Sequence, residues 1–117
     1  MRTPTYFTLA ALLDGPLHGY GIIKRAAELS DSAVKMTAGT LYGALDRLSR
    51  EGLVAEDRQE IVAGRARRYY RLTDEGHAAL EAEAERMSKA AAVVKNSGIA
   101  AASPRPRKAP QPEPGLA

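Results

Sequence analysis

The stretch from Thr37 to Leu72 constrains this chain most, because it joins an amphipathic helix of defined length to a pair of short strands rich in arginine. At 100° per residue, Thr37, Leu41, Ala44, Leu45 and Leu48 share one face. Gly39, Gly43, Asp46 and Arg50 point away, and Thr40, Tyr42 and Arg47 lie on the flanks. Thr37 is a suitable N-cap, and Gly52 can take the left-handed conformation that closes a helix. Leu53-Val54-Ala55-Glu56 and Arg68-Tyr69-Tyr70-Arg71-Leu72 are β-prone runs, with Ala63-Gly64-Arg65 near the tip of their connection, so the pattern predicts an antiparallel hairpin. A helix with a bare outer face beside a cationic hairpin suits a nucleic-acid duplex, which offers a wide groove to the helix and phosphates to Lys and Arg. Two glycines on the outer face of one helix cost about 1 kcal/mol each against Ala, and close approach of another backbone would explain them.

The rest of the chain supplies a support for that pair. Tyr6, Phe7, Leu9, Ala10, Leu12 and Leu13 recur at helical spacing after Pro4, and Asp14-Gly15-Pro16 stops this first helix. A second begins near His18-Gly19, with Tyr20, Ile22, Ile23, Ala26, Ala27 and Leu29 read as its apolar side, and ends at Ser30-Asp31-Ser32. Thr73 caps a last helix whose first turn carries Asp74 and Glu75, favourable beside the positive end of the helix dipole. Along it Leu80, Ala84, Met87, Ala91 and Val94 alternate four and three residues apart, a heptad-type seam. Nothing left in so small a chain covers that seam, so a second copy of the protein is the economical partner. Five prolines between Ser103 and Ala117 predict an extended, disordered tail.

The resulting expectation is a mainly α fold with a small β-hairpin: a winged helix-turn-helix domain over residues 1–72, a C-terminal dimerisation helix over 73–102 and a Pro-rich tail over 103–117. At 117 residues there is room for one ordinary domain, and with aromatics at 5 % its core rests on Leu, Ile and Val. The net charge of +3 matters less than its distribution. Arg58, Arg65, Arg67, Arg68 and Arg71 face the single acid Glu60 in the same stretch, whereas Asp74 to Glu85 carries acids and no Lys or Arg. The absence of Cys excludes disulfides, thiolate metal sites and cysteine nucleophiles. No run approaches the ~20 apolar residues of a membrane span, and the opening lacks a signal-peptide pattern, so the expected location is the cytoplasm.

For nucleic acid, Arg65, Arg67 and Arg68 are the candidates for phosphate or minor-groove contact, with Lys35 just ahead of the helix as a further phosphate ligand. Ala38, Gly39, Thr40, Tyr42 and Gly43 should lie nearest the base edges. A solvated charged hairpin is the bland alternative, but such hairpins usually mix signs. His18 near Asp14 is better read as a turn-and-cap histidine than as a catalytic one, because no nucleophile or ligand set accompanies it. His77 is read as an interface or surface residue. No enzyme site, metal site or cofactor is expected. A winged helix docking an acidic protein partner remains the alternative to specific DNA binding.

Several motifs in order resemble the PadR-type transcriptional regulators: the Leu-rich first helix, Gly15-Pro16-Leu17-His18-Gly19-Tyr20, Gly39-Thr40-Leu41-Tyr42, Glu51-Gly52-Leu53-Val54, and Tyr69-Tyr70-Arg71-Leu72-Thr73 with Gly76. The resemblance covers about Tyr6 to Leu80. It implies a winged-helix dimer acting mainly as a repressor, with Thr40 and Tyr42 facing double-stranded operator DNA and Gly64-Arg65 at the wing tip. It also implies dimer contacts from the last helix and from the first, where Tyr6 and Leu9 are the candidates. A small-molecule effector sensed through that interface completes the expectation. Where the family often carries Pro, this chain has Ala38 and Gly43.

Overall fold

The computed structural model describes residues 1–102, with side chains through Ser97. Helix α1 spans Thr3–Ala11, and its buried Thr8 hydroxyl donates to the Pro4 carbonyl at 2.8 Å. A two-residue strand β1, Leu17–His18, precedes α2, Gly19–Leu29. The α2 exit is held by Ser30, whose hydroxyl donates to the Ala26 carbonyl at 2.8 Å and accepts from the Val34 amide at 2.9 Å. Two successive non-glycine residues, Asp31 and Ser32, take positive φ of 52° and 67° in the turn that follows.

Helix α3 covers Ala38–Arg50 and starts as its sequence requires, with the Thr37 hydroxyl accepting from the Thr40 amide at 3.2 Å. It closes with Gly52 at φ 78°. The Gly52 amide donates to the Ser49 carbonyl and that of Leu53 to the Leu48 carbonyl, the paired bonds of a Schellman ending. Strands β2, Val54–Val62, and β3, Arg65–Leu72, are joined by Ala63-Gly64, both at positive φ, as a tight two-residue hairpin turn requires. Asp57 is the extra residue of a bulge between the pairs Glu56–Tyr70 and Arg58–Tyr69. The sheet order is β1-β3-β2, antiparallel throughout, with Leu17 opposite Tyr70 and His18 opposite Tyr69.

Helix α4, Asp74–Ala102, is capped by Thr73, whose hydroxyl accepts from the Gly76 amide at 2.9 Å and donates to the Gly52 carbonyl at 2.6 Å. The first compact unit, Met1–Glu83, is organised around Leu9, Leu12, Ile22, Leu41, Leu45, Leu48, Val54, Tyr70 and Leu80. Each fully buried Leu or Ile contributes about 1.5–3 kcal/mol by leaving water.

Several expectations change. Leu9 and Leu80, read as dimer contacts, are 0 % and 4 % exposed, so both side chains are spent on this core rather than offered on the surface. Tyr20, read as apolar-face packing, is 78 % exposed: two positions before Ile22, it sits roughly 200° round the helix from that core residue. The strands are longer than the two short runs suggested, and β1 adds a third. The compact unit runs past residue 72 to Glu83, because Gly76 and Leu80 pack within it. In the second unit, which begins at Ala84, Met87, Ala91 and Val94 are exposed. The expected tail, 103–117, lies outside the described residues.

Candidate nucleic-acid interface

The N-terminal half of α3 presents Ala38, Gly39, Thr40, Tyr42 and Gly43 to solvent, while Leu41, Leu45 and Leu48 seat the helix on the core. A Cβ placed on Gly39 or Gly43 would meet nothing within 4 Å, so packing within the described chain does not demand either glycine. The Thr40 hydroxyl accepts from the Thr37 hydroxyl at 3.0 Å, which leaves its own proton free to donate outward.

Charge on the hairpin is segregated by strand, which corrects the expectation of an almost purely cationic wing. Glu56, Asp57 and Glu60 lie on β2, and the arginines other than Arg58 lie on β3. Arg58 pairs with Asp57 and Glu60, each at 3.2 Å, and stacks 4.0 Å over the Tyr69 ring. Hydrogen bonds from Arg58 and then Tyr69 hold the Glu60 carboxyl below its ordinary pKa, and the same pairing raises that of Arg58. Arg71 approaches Asp57 at 3.9 Å. Arg65, Arg67 and Arg68 form no ion pair among the described residues, and they sit at the wing tip. These three carry the hairpin charge that is free of ion pairs, although Arg67 stands opposite Glu60 and adds to the pull that keeps that carboxyl ionised.

An open groove of ≈ 710 Å³ runs between the wing tip, the first turn of α2 and the start of α3. It unites Ala38 and Tyr42 with Arg65, Arg67 and Arg68, and adds His18, Tyr20, Ile23 and Val62. Lys35 and Thr40 instead line a separate depression of ≈ 420 Å³ beside Pro4 and Met36. Burial, and secondarily Arg67, pushes the His18 imidazole below its usual pKa of 6.5, with Glu60 pulling the other way. The His18 ring meets Tyr69 edge-on at 5.5 Å. Tyr20 is the residue sequence reasoning missed; the helical wheel, which sets it opposite Ile22, was the signal that could have found it. Among the described residues no cluster of His, Cys, Asp or Glu could hold a metal ion, and no helix is long and apolar enough to cross a membrane.

Residues 8–82 match the transcriptional regulator PadR-like family. The chain belongs to that family. That is a family of transcriptional regulators, and the four helices and three-stranded sheet of this PadR-like chain are those of the family's winged-helix structures. It is 43 % identical over 67 residues to a transcriptional regulator of Mycobacterium tuberculosis, a match that takes in 57 % of the chain and 59 % of that protein. Among solved structures, a PadR family regulator from Eggerthella lenta superposes with a TM-score of 0.63 at 34 % identity, covering 80 % of each chain. Bacillus subtilis PadR, solved in complex with operator DNA, superposes at 0.60 with 28 % identity over 68 % of this chain and 45 % of that one.

Proposed function

We propose that this PadR-like chain is a dimeric, sequence-specific repressor that reads operator DNA with α3 and grips its backbone with the wing. The observation that carries the reading is the set Arg65, Arg67 and Arg68, which form no ion pair among the described residues, beside a helix face stripped to Ala38, Gly39 and Gly43. Unpaired guanidinium groups supply phosphate affinity, and a face without side chains lets a backbone or base edge approach. Thr40 and Tyr42 supply the hydroxyls, and Lys35 a further phosphate contact. That the Bacillus subtilis relative was solved on operator DNA supports the same assignment. Dimerisation runs through Ala84, Met87, Ala91 and Val94 of α4, and a small-molecule effector acting at that interface relieves repression.

The test is fluorescence anisotropy on a duplex from the chain's own upstream promoter and on a shuffled duplex of equal length, over a salt series. A preference of about 10³-fold or more is expected. Arg67→Ala should weaken both duplexes alike and lower the log–log salt slope by about 0.9 for each protomer bound. Equal weak binding to both duplexes would overturn specific readout and favour an acidic protein partner for the wing. Val94→Asp, which sets a charge on an exposed apolar position, should shift sedimentation from dimer towards monomer; an unchanged profile would refute this interface.

A further inference from the structure

The phenol of Tyr42 crosses from α3 to the first turn of α2 and rests on Gly19, the residue that opens α2. A Cβ at Gly19 would stand 2.5 Å from the Tyr42 hydroxyl oxygen and 2.9 Å from the ring carbon that bears it. The atoms in the way are the far end of a side chain, so an added methyl would push the ring aside and leave both helices where they are. Leu41, the other near neighbour of that position, stays at an ordinary 3.5 Å. The Tyr42 hydroxyl has no hydrogen-bond partner among the described residues, and the ring, 49 % exposed, lines the groove with Tyr20, His18, Arg65 and Arg67. A hydroxyl held in place by packing and satisfied only by solvent keeps its donor available to a group that enters the groove and displaces that water.

We infer that Gly19 is a positioning residue for DNA recognition: the space left by its missing side chain fixes the Tyr42 hydroxyl at the junction of α2, α3 and the wing, where it meets a strand of the duplex. This rests on the proposed DNA-binding reading and deepens it, since it gives Tyr42 a defined aim and assigns a role to a residue that is itself buried. It also ties α2 to the recognition helix without a covalent or charged link.

A double-substitution cycle tests it, with Gly19→Ala, Tyr42→Ala and the pair measured by anisotropy on a duplex enriched from a randomised pool by the unsubstituted protein, and on its shuffled counterpart. Gly19→Ala should weaken enriched-duplex binding about tenfold or more, the worth of one hydrogen bond to a charged oxygen, and should have no further effect once Tyr42 is Ala. The melting temperature of Gly19→Ala should stay close to that of the unsubstituted protein. Independent effects of the two substitutions, or unweakened binding by Gly19→Ala, would overturn the positioning role. So would a fall in melting temperature that Tyr42→Ala does not reverse, because Gly19 would then be packing against something other than the phenol. If no duplex is enriched over its shuffled counterpart, the DNA-binding reading fails and this role fails with it. Enrichment with independent effects sinks this inference alone.

Discussion

Replacing both outer glycines of α3, Gly39 and Gly43, by alanine should make the protein more stable and a poorer DNA binder at once. Gly43 lies inside the helix, where Ala is better by about 1 kcal/mol, while Gly39 lies in the first turn and should yield about 0.5 kcal/mol. Nothing opposes the gain, since a Cβ at either position meets no atom within 4 Å. The sum of about 1.5 kcal/mol corresponds to roughly 6–12 °C in melting temperature for a folded unit of this size, read at fixed protein concentration because an assembling protein melts in a concentration-dependent way. On the proposed DNA interface the same two methyl groups would occupy the space that the duplex needs. Overpacking of about 1–3 kcal/mol translates into roughly 5- to 150-fold weaker operator binding by anisotropy. Stabilisation with undiminished affinity would show that the duplex does not approach this face, and absence of stabilisation would show that the face is not open.

Gly76→Ala should do the reverse of Gly43→Ala despite the same gain in helix propensity: its Cβ would overlap the Leu53 carbonyl oxygen and lie 2.9 Å from Leu72 Cδ1, so a loss of about 1–3 kcal/mol is expected in urea denaturation. Ser32→Gly should raise the urea midpoint by the equivalent of about 1 kcal/mol, because it relieves a left-handed non-glycine residue at φ 67°. His18 has its pKa lowered by burial and by Arg67, so the unfolded chain takes up the proton first as pH falls. The stability it supports is complete above its ordinary pKa of 6.5 and drains away as pH falls through the lower folded value, and His18→Gln should flatten the stability–pH curve in that window. An unaltered curve would refute the assignment.

Where a local rule decided the outcome, the sequence was legible. Thr37 caps α3, Gly52 closes it and the hairpin turns beside Gly64, each as the local sequence predicted. Long-range pairing was not legible. Strand β1 exists only because Leu17 and His18 find Tyr70 and Tyr69, and two residues carry no pattern of their own. Leu80 has the spacing of a seam residue yet closes the core, since the heptad pattern cannot distinguish a partner chain from the chain's own α1, α3 and sheet. On the candidate site, all three arginines free of ion pairs stood out in the sequence. That Arg58 and Arg71 are neutralised did not, because their partner Asp57 sits at a bulge that only the register reveals.

The sheet order β1-β3-β2 has a consequence for the timing of synthesis. Leu17 and His18 leave the ribosome early but have nothing to pair with until Tyr69 and Tyr70 follow, and the core they share still lacks Leu80. The helices α1 to α3 emerge first with their apolar faces open, a span in which the nascent chain is exposed to misassociation. The groove between wing and helices is thus lined only once Arg68 has emerged, and the core beneath it closes only with Leu80, so a ribosome-bound fragment ending between the two carries the groove on an unfinished core.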